Sequence, residues 1–304
     1  MSTRRTGRVL VATSGSVASK SAISYAAREA ASRGLPLELV HVITPMFAAG
    51  PYGATAEPDL RLAGREVLAR GEELARATAP KVAVRTTLLT GSRADAVVHH
   101  AGDADLLVVG APPHDLMGRV WTGSTVMGIA ARATCPVVVI PEPAPRQPTH
   151  EVLVGVKSAR HSQHLLATAF AIARQTQSDL RILHAWQDMS PYDEAVMEHP
   201  STPQWEREQL RTIEGALIDL RMVYPEVQVR VALVHGRSAD TLLAAAPNCD
   251  LVVISRPTHG GFLHHLGSTA RALIRQPVCP VMVVPPLDAG AASEHRDADT
   301  ALVP

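Results

Sequence analysis

The chain has 304 residues, 46% of them apolar, and its 29 basic side chains balance 29 acidic ones to a formal charge of zero. That is enough apolar material for two ordinary cores, and the balance leaves no basic footprint for nucleic acid and no polybasic membrane patch. Arg4 and Arg5 precede no signal-like apolar run, and no stretch of about 18 apolar residues occurs, so the chain is expected to be soluble and cytoplasmic.

Val9–Thr13 is the first strand-like run, and a helix is expected over Val17–Ser32. The strand Leu37–Ile43 leads into an excursion, Thr44–Pro58, that holds Phe47 and Tyr52 and exceeds ordinary loop length. Such a segment is expected to serve as a lid or an interaction loop. A helix over Leu60–Thr78, a strand over Lys81–Leu88 and a helix over Arg93–His100 follow. Arg93 and Asp95 at that helix start suit capping and dipole pairing. The last strands are Asp105–Val109 and Pro136–Ile140, with a helix expected over Ser124–Ala133 between them. Val126, Ile129, Ala130 and Ala133 give that helix one apolar stripe. Near-continuous apolar strands such as Leu106–Val109 indicate burial on both faces, so the alternation predicts an α/β fold with a doubly wound parallel sheet. Ligands of such a sheet sit beyond the carboxyl ends of the strands, where the strand order reverses.

The four prolines of "PEPAPRQPTH" (141–150) favour an extended linker, and beyond it the pattern starts again. "RVLVATS" (8–14) matches "EVLVGVK" (151–157), and "LELVHVI" (37–43) matches "LRILHAW" (180–186). "TGSRADAVV" (90–98) matches "HGRSADTLL" (235–243), Gly123-Ser124 matches Gly267-Ser268, and "ATCPVVVIPEP" (133–143) matches "PVCPVMVVPPL" (277–287). Five segments in one order are a duplicated domain, not a short-period solenoid. The expected division is a first domain over 8–141, a linker over 142–150, a second domain over 151–285 and an aperiodic, mobile tail over 286–304.

"GRVWTGST" (118–125) has the glycine spacing of GxxxxGK[ST], but Ser124 stands where the lysine belongs, and the strand ends eight residues before Gly118, at Gly110. A P-loop needs that lysine to reach the outer phosphates, so the motif is rejected. What remains is a helix start whose free N–H groups favour an anion, with Gly123 or Ser124 as its cap and the hydroxyls of Ser124 and Thr125 as extra donors.

"LVATSGS", "LVHVI", "ADLLVVG", Gly123-Ser124 and "CPVVVIP", nearly all echoed in the second copy, resemble the universal stress protein (UspA-type) family, here as a tandem two-domain member. The resemblance implies two five-stranded domains, adenine-nucleotide α-hydrolase-like or Rossmann-like, and a regulatory or protective role in the stress response. It implies ATP or a related adenine nucleotide as ligand, with magnesium as an optional companion, and an internal pseudo-dimer joined by pairing of Val137–Ile140 with Val281–Val284. Further homodimers and protein partners stay open. ATP-binding members carry a G-x2-G-x9-G-[ST] loop and an aspartate ending the first strand. Carried onto the first copy, Gly110, Pro113, Gly123, Ser124 and Thr125 line ribose and phosphates, Thr13 and Ser14 lie near adenine or ribose, and Val42 lies against the base.

Two departures matter. Pro113 has no N–H and a fixed φ, and Ser14 carries no charge where the aspartate belongs. Gly118 is an alternative source of slack in that loop. The second copy departs further, with Lys157 for the aspartate. Its glycine positions hold Ile254 and Pro257 in one register, or Ser255 and Thr258 in another. A side chain where backbone must approach phosphate obstructs it, so the second copy reads as a structural half.

Other residues take plainer readings. His99-His100 and His264-His265 point to different helix faces, His161 and His164 lack a nearby carboxylate, and no HExxH occurs, so no metal is expected. His41 and His184 recur at one strand position, as core histidines do. Cys135 and Cys279 read as packing residues, and Cys249 is assigned nothing. Ser14–Ser16 and Ser19–Ser21 have no patterned base to activate them, so no catalytic residue is expected, although weak ATP hydrolysis stays open. The alternative function is an interaction scaffold of the same fold without nucleotide. An α-hydrolase-type enzyme ranks last for want of an SGGxDS-like loop.

Overall fold

The computed structural model describes residues 7–44, 53–111, 122–142, 148–157, 162–187, 202–257 and 266–286. In chain order these form β1 (Val9–Ala12), α1 (Val17–Arg33), β2 (Leu37–Ile43), α2 (Gly53–Thr78), β3 (Val84–Thr90), α3 (Arg93–His100), β4 (Leu106–Gly110), α4 (Thr122–Arg132) and β5 (Val137–Ile140). The second half repeats the order with β6 (Glu151–Gly155), α5 (Gln163–Thr176), β7 (Asp179–Trp186), α6 (Thr202–Val223), β8 (Val229–His235), α7 (Ser238–Ala245), β9 (Leu251–Ser255), α8 (Ser268–Arg275) and β10 (Val281–Val284). The tail, most of the linker, Phe47, Tyr52, Pro113, Gly118, His161, Thr258, His264 and His265 lie outside the described residues.

All strands join one sheet in the order β3-β2-β1-β4-β5-β10-β9-β6-β7-β8. Each half is parallel and doubly wound, and the halves meet where β5 runs antiparallel to β10, with Val139 opposite Val281 and Val137 opposite Val283. Val137–Ile140 and Val281–Val284 are at most 2% exposed. Burying one such side chain contributes roughly 1.5–3 kcal/mol, so the seam is as much a core as either half.

Strand side chains alternate between two apolar layers. Val9 and Val11 face the layer that contains Ala22 and Ala26 of α1, Leu68 of α2, Phe170 of α5 and Leu217 of α6. Leu10 faces the opposite layer, with Val97 of α3, Ile129 of α4, Leu242 of α7 and Leu273 of α8. In α1 the buried row Ala18, Ala22, Ala26 and Ala30 lets the helix lie close on the sheet. The approach is tightest at Gly110, where an added Cβ would sit 2.5 Å from the Ala18 carbonyl oxygen.

Several boundaries differ from expectation. α2 begins at Gly53, inside the supposed loop Thr44–Pro58, and so carries Pro58 within it, beyond the first turn, where the missing N–H leaves one helical carbonyl without its donor. β3 begins at Val84 rather than Lys81. α4 begins at Thr122, so Gly123 and Ser124 do not cap it but lie in its first turn. In the second half the matching Gly267 is the N-cap, with extended backbone.

At the amino ends of the strands, the mostly buried Glu38 gathers a polar network. Thr87 Oγ1 donates to it at 2.7 Å, His100 Nε2 lies 2.8 Å away, and Arg8 Nε stands at 2.9 Å, a charge contact too bent to be a hydrogen bond. Burial alone would raise the Glu38 pKa, but the Thr87 and His100 hydrogen bonds and the His100 and Arg8 charges outweigh it and hold the carboxyl below its usual range. At the equivalent place in the second half the signs are exchanged: Glu151 stands 3.6 Å from Arg181.

Two outcomes are expected from urea unfolding. Gly110→Ala should lower stability by about 1–3 kcal/mol, the range for forced overpacking, and a change under 0.5 kcal/mol would contradict the close approach. Glu38→Gln should destabilise the protein at pH 7. Because the folded pKa of Glu38 is depressed, its contribution is full above the unfolded value near 4.5 and is lost as pH falls through the folded value, so the two proteins should converge on acidification.

Candidate functional site

The strand order reverses between β1 and β4 in the first half and between β6 and β9 in the second. From β1 the chain turns into α1 on one face, and the helix that follows β4, α4, packs on the other. The carboxyl ends of β1 and β4 therefore part to form a crevice with the α1 start on one side and the α4 start on the other, the place where doubly wound sheets receive ligands.

Three of the residues proposed from sequence converge there by strand register. Ala12 lies opposite Val109, so Thr13 and Gly110 are the next neighbours. Thr13 is buried, and its N–H donates to the Val40 carbonyl at 2.9 Å. Ser14 follows and is exposed at the crevice mouth. Its Oγ donates to Ser16 Oγ at 3.0 Å, and its N–H donates to Ser19 Oγ at 3.0 Å. Ser16 is the N-cap of α1, its Oγ accepting from the Ser19 N–H. The serine cluster is thus the internal bonding of a helix entry, with no base within it. Gly15, at φ +78°, makes the turn, where a side chain would be strained.

The other four described residues divide. Val42 is buried at the carboxyl end of β2, in the layer beneath α3 and α4. Gly123 and Ser124 belong to the first turn of α4, whose backbone N–H groups have no partner within the helix, and the half-buried Thr125 follows them. Gly110 is a glycine for a reason apart from any ligand: the α1 backbone occupies the space of its Cβ.

The second crevice is built differently. Ser255 pairs with Val284 as Gly110 pairs with Ile140, so of the two registers considered it is Ser255 that replaces Gly110. Lys157 is exposed at the Ser14 position. Pro257 packs against the α8 start, its Cγ 3.0 Å from where a Gly267 Cβ would lie. Trp186, Trp205 and His235 pack at the carboxyl ends of β7 and β8, with ring centroids 4.9 and 4.6 Å apart.

The paired histidines have one shared task. His41 Nδ1 lies 2.8 Å from the Thr13 carbonyl, and His184 Nδ1 lies 2.9 Å from the Val156 carbonyl. A carbonyl only accepts, so both rings hold their proton on Nδ1 and pin the turn after the first strand of each half. His100 is engaged by Glu38, and among the described residues no group of three metal-ligating side chains assembles. Sequence reasoning missed Arg256, whose guanidinium reaches from the second half to carbonyls at the end of α4. The only hint was a cation after β9 where the first copy has Ala111.

Burial pushes the Cys135 thiol up to about 11 and raises that of Cys249 as well, and Cys279 is also buried. All three thiols should therefore resist an aromatic disulfide reagent at neutral pH and react fully in denaturant; rapid native reaction at any of them would contradict the packing role.

The universal stress protein family profile matches residues 6–141 and again 148–285. A universal stress protein of Mycolicibacterium smegmatis is 30% identical over 91% of this chain and 97% of its own length. One from Mycobacterium tuberculosis strain H37Rv is 30% identical over 90% and 94%. Among solved structures, a universal stress protein from Archaeoglobus fulgidus superposes with a TM-score of 0.70 at 16% identity, over 92% of this chain and 98% of that one. A putative universal stress protein from Pseudomonas aeruginosa gives 0.59 at 17%, over 96% and 97%.

Proposed function

The chain belongs to the universal stress protein family as a tandem member, and from that premise we propose that its first half binds ATP or a related adenine nucleotide as a regulatory, protective module of the stress response. The observation that supports this reading is the reversal of strand order between β1 and β4, where doubly wound sheets take their ligands, together with a helix after β4 whose start holds Gly123, Ser124 and Thr125. Amides at a helix start, together with the helix dipole, favour polyphosphate. Thr13 and Ser14 stand at the opposite lip for ribose or base, and Val42 offers an apolar surface from the core beneath. Pro113, which follows β4 in the sequence, has no N–H and is not counted among the donors. Magnesium is an optional companion of the phosphates.

The reading does not include efficient turnover, since the serine cluster is committed to the α1 entry and His41, His100 and His184 bond to carbonyls or carboxylate. The second half serves as a structural partner, its α8 start covered by Pro257. No described helix is long and apolar enough to cross a membrane, which fits a cytoplasmic module. The alternative, an interaction scaffold without nucleotide, draws on Ser14 and Pro113 as departures from the family's binding pattern.

Calorimetric titration of ATP into the full chain decides between them. Heat of binding is expected at or below about millimolar ATP, the weak end of specific affinity. Gly123→Glu, which sets an anion in the first turn of α4, should weaken that affinity at least roughly tenfold through charge repulsion with polyphosphate. Gly110 is unsuitable for this test because any side chain there displaces α1. No heat from the wild type would end the nucleotide reading and leave the scaffold.

A further inference from the structure

The loop after β9 stands where the first half has the start of its ligand loop, yet its first residue turns towards the other half. Arg256 Nη1 donates to the Ala131 carbonyl at 2.9 Å and to the Ala133 carbonyl at 2.8 Å. Both carbonyls belong to the end of α4, where helix carbonyls lack intrahelical donors and the dipole is negative. The Arg256 N–H itself bonds to the Val284 carbonyl of β10 at 2.8 Å, so the side chain springs from backbone fixed beside the seam.

We infer that Arg256 is a positioning residue for the first half's nucleotide helix: the second half holds α4 by its carboxyl end and so sets the aim of the amides at its amino end. Three observations carry this. The helix is short, Thr122–Arg132, so a tilt at one end is felt at the other. Its carboxyl end is also anchored on its own side, since Arg132 pairs with Asp95 of α3; the Arg256 contact adds a hold from across the seam. The arrangement runs one way, because the residue of the first half in the same register is Ala111, which has no side chain to reach α8. The second half thus carries a grip on its neighbour directly after the strand end where Ser255 replaces Gly110. This role rests on nucleotide binding by the first half.

The test compares full-length wild type, Arg256→Ala and Arg256→Lys by amide hydrogen exchange and by ATP titration. In the alanine variant, exchange across 126–135 should quicken by about tenfold, the scale for losing charge-assisted hydrogen bonds, and the lysine variant should recover part of it. ATP affinity should weaken roughly three- to tenfold in the alanine variant, again with partial recovery by lysine. Unchanged exchange across 126–135, or a rise spread evenly over the chain, overturns the grip. Quickened exchange there with unchanged ATP affinity overturns its link to the ligand. If the wild type takes up no ATP, the nucleotide reading fails and with it the positioning role, while the exchange data still decide whether Arg256 fixes α4.

Discussion

Everything distinctive about this molecule depends on the antiparallel pairing of β5 with β10. Each half alone would end in an exposed apolar edge strand, the kind of surface that recruits other chains. Joining the two edges buries eight valine, isoleucine and methionine side chains and turns two parallel sheets into one of ten strands. The same seam sets α4 and α8 beside each other on one face and α1 and α5 on the other, where Gln175 reaches Ser32 at 2.7 Å. A side chain at the end of β9 can touch α4 only because the seam puts it there.

Duplication with a fixed seam leaves each half free to drift as long as the layers stay filled. The buried rows have stayed apolar, whereas polar pairs have been rebuilt. Arg8 with Glu38 became Glu151 with Arg181, which keeps the attraction and reverses its direction. The histidine that pins the first turn was kept in both halves, because losing it would strand a carbonyl in each. Around the second strand-order reversal the two halves differ outright, with Ser255 for Gly110 and Lys157 for Ser14.

Much of the architecture was legible in the sequence because it follows from periodicity. Leu37–Ile43 and Arg93–His100 begin and end where the apolar pattern says they should. The repeat of "CPVVVIP" in "CPVMVVP" pointed to the two strands that pair at the seam. The site was legible only as far as local pattern reaches. Gly110 looked like a ligand glycine, but the Ala18 backbone that demands it lies ninety-two residues earlier, and no short window contains both. Gly123 and Ser124 looked like caps because cap and first-turn residues share a composition, and a shift of two residues in the helix start separates the roles. Arg256 could not be found from its neighbours at all, since its partners lie in the other copy.

Among the described strands, β3 and β8 are the two outermost, at opposite extremities of the sheet. Each carries an exposed arginine at the matching position, Arg85 on one and Arg230 on the other. Charged side chains on outer strands are one of the devices by which edge strands discourage pairing with other chains, and on β8 Arg230 is held by Asp179 of the neighbouring β7. The two inner rims are thus closed by fusion of the halves, and the two outer ones each present charge to water.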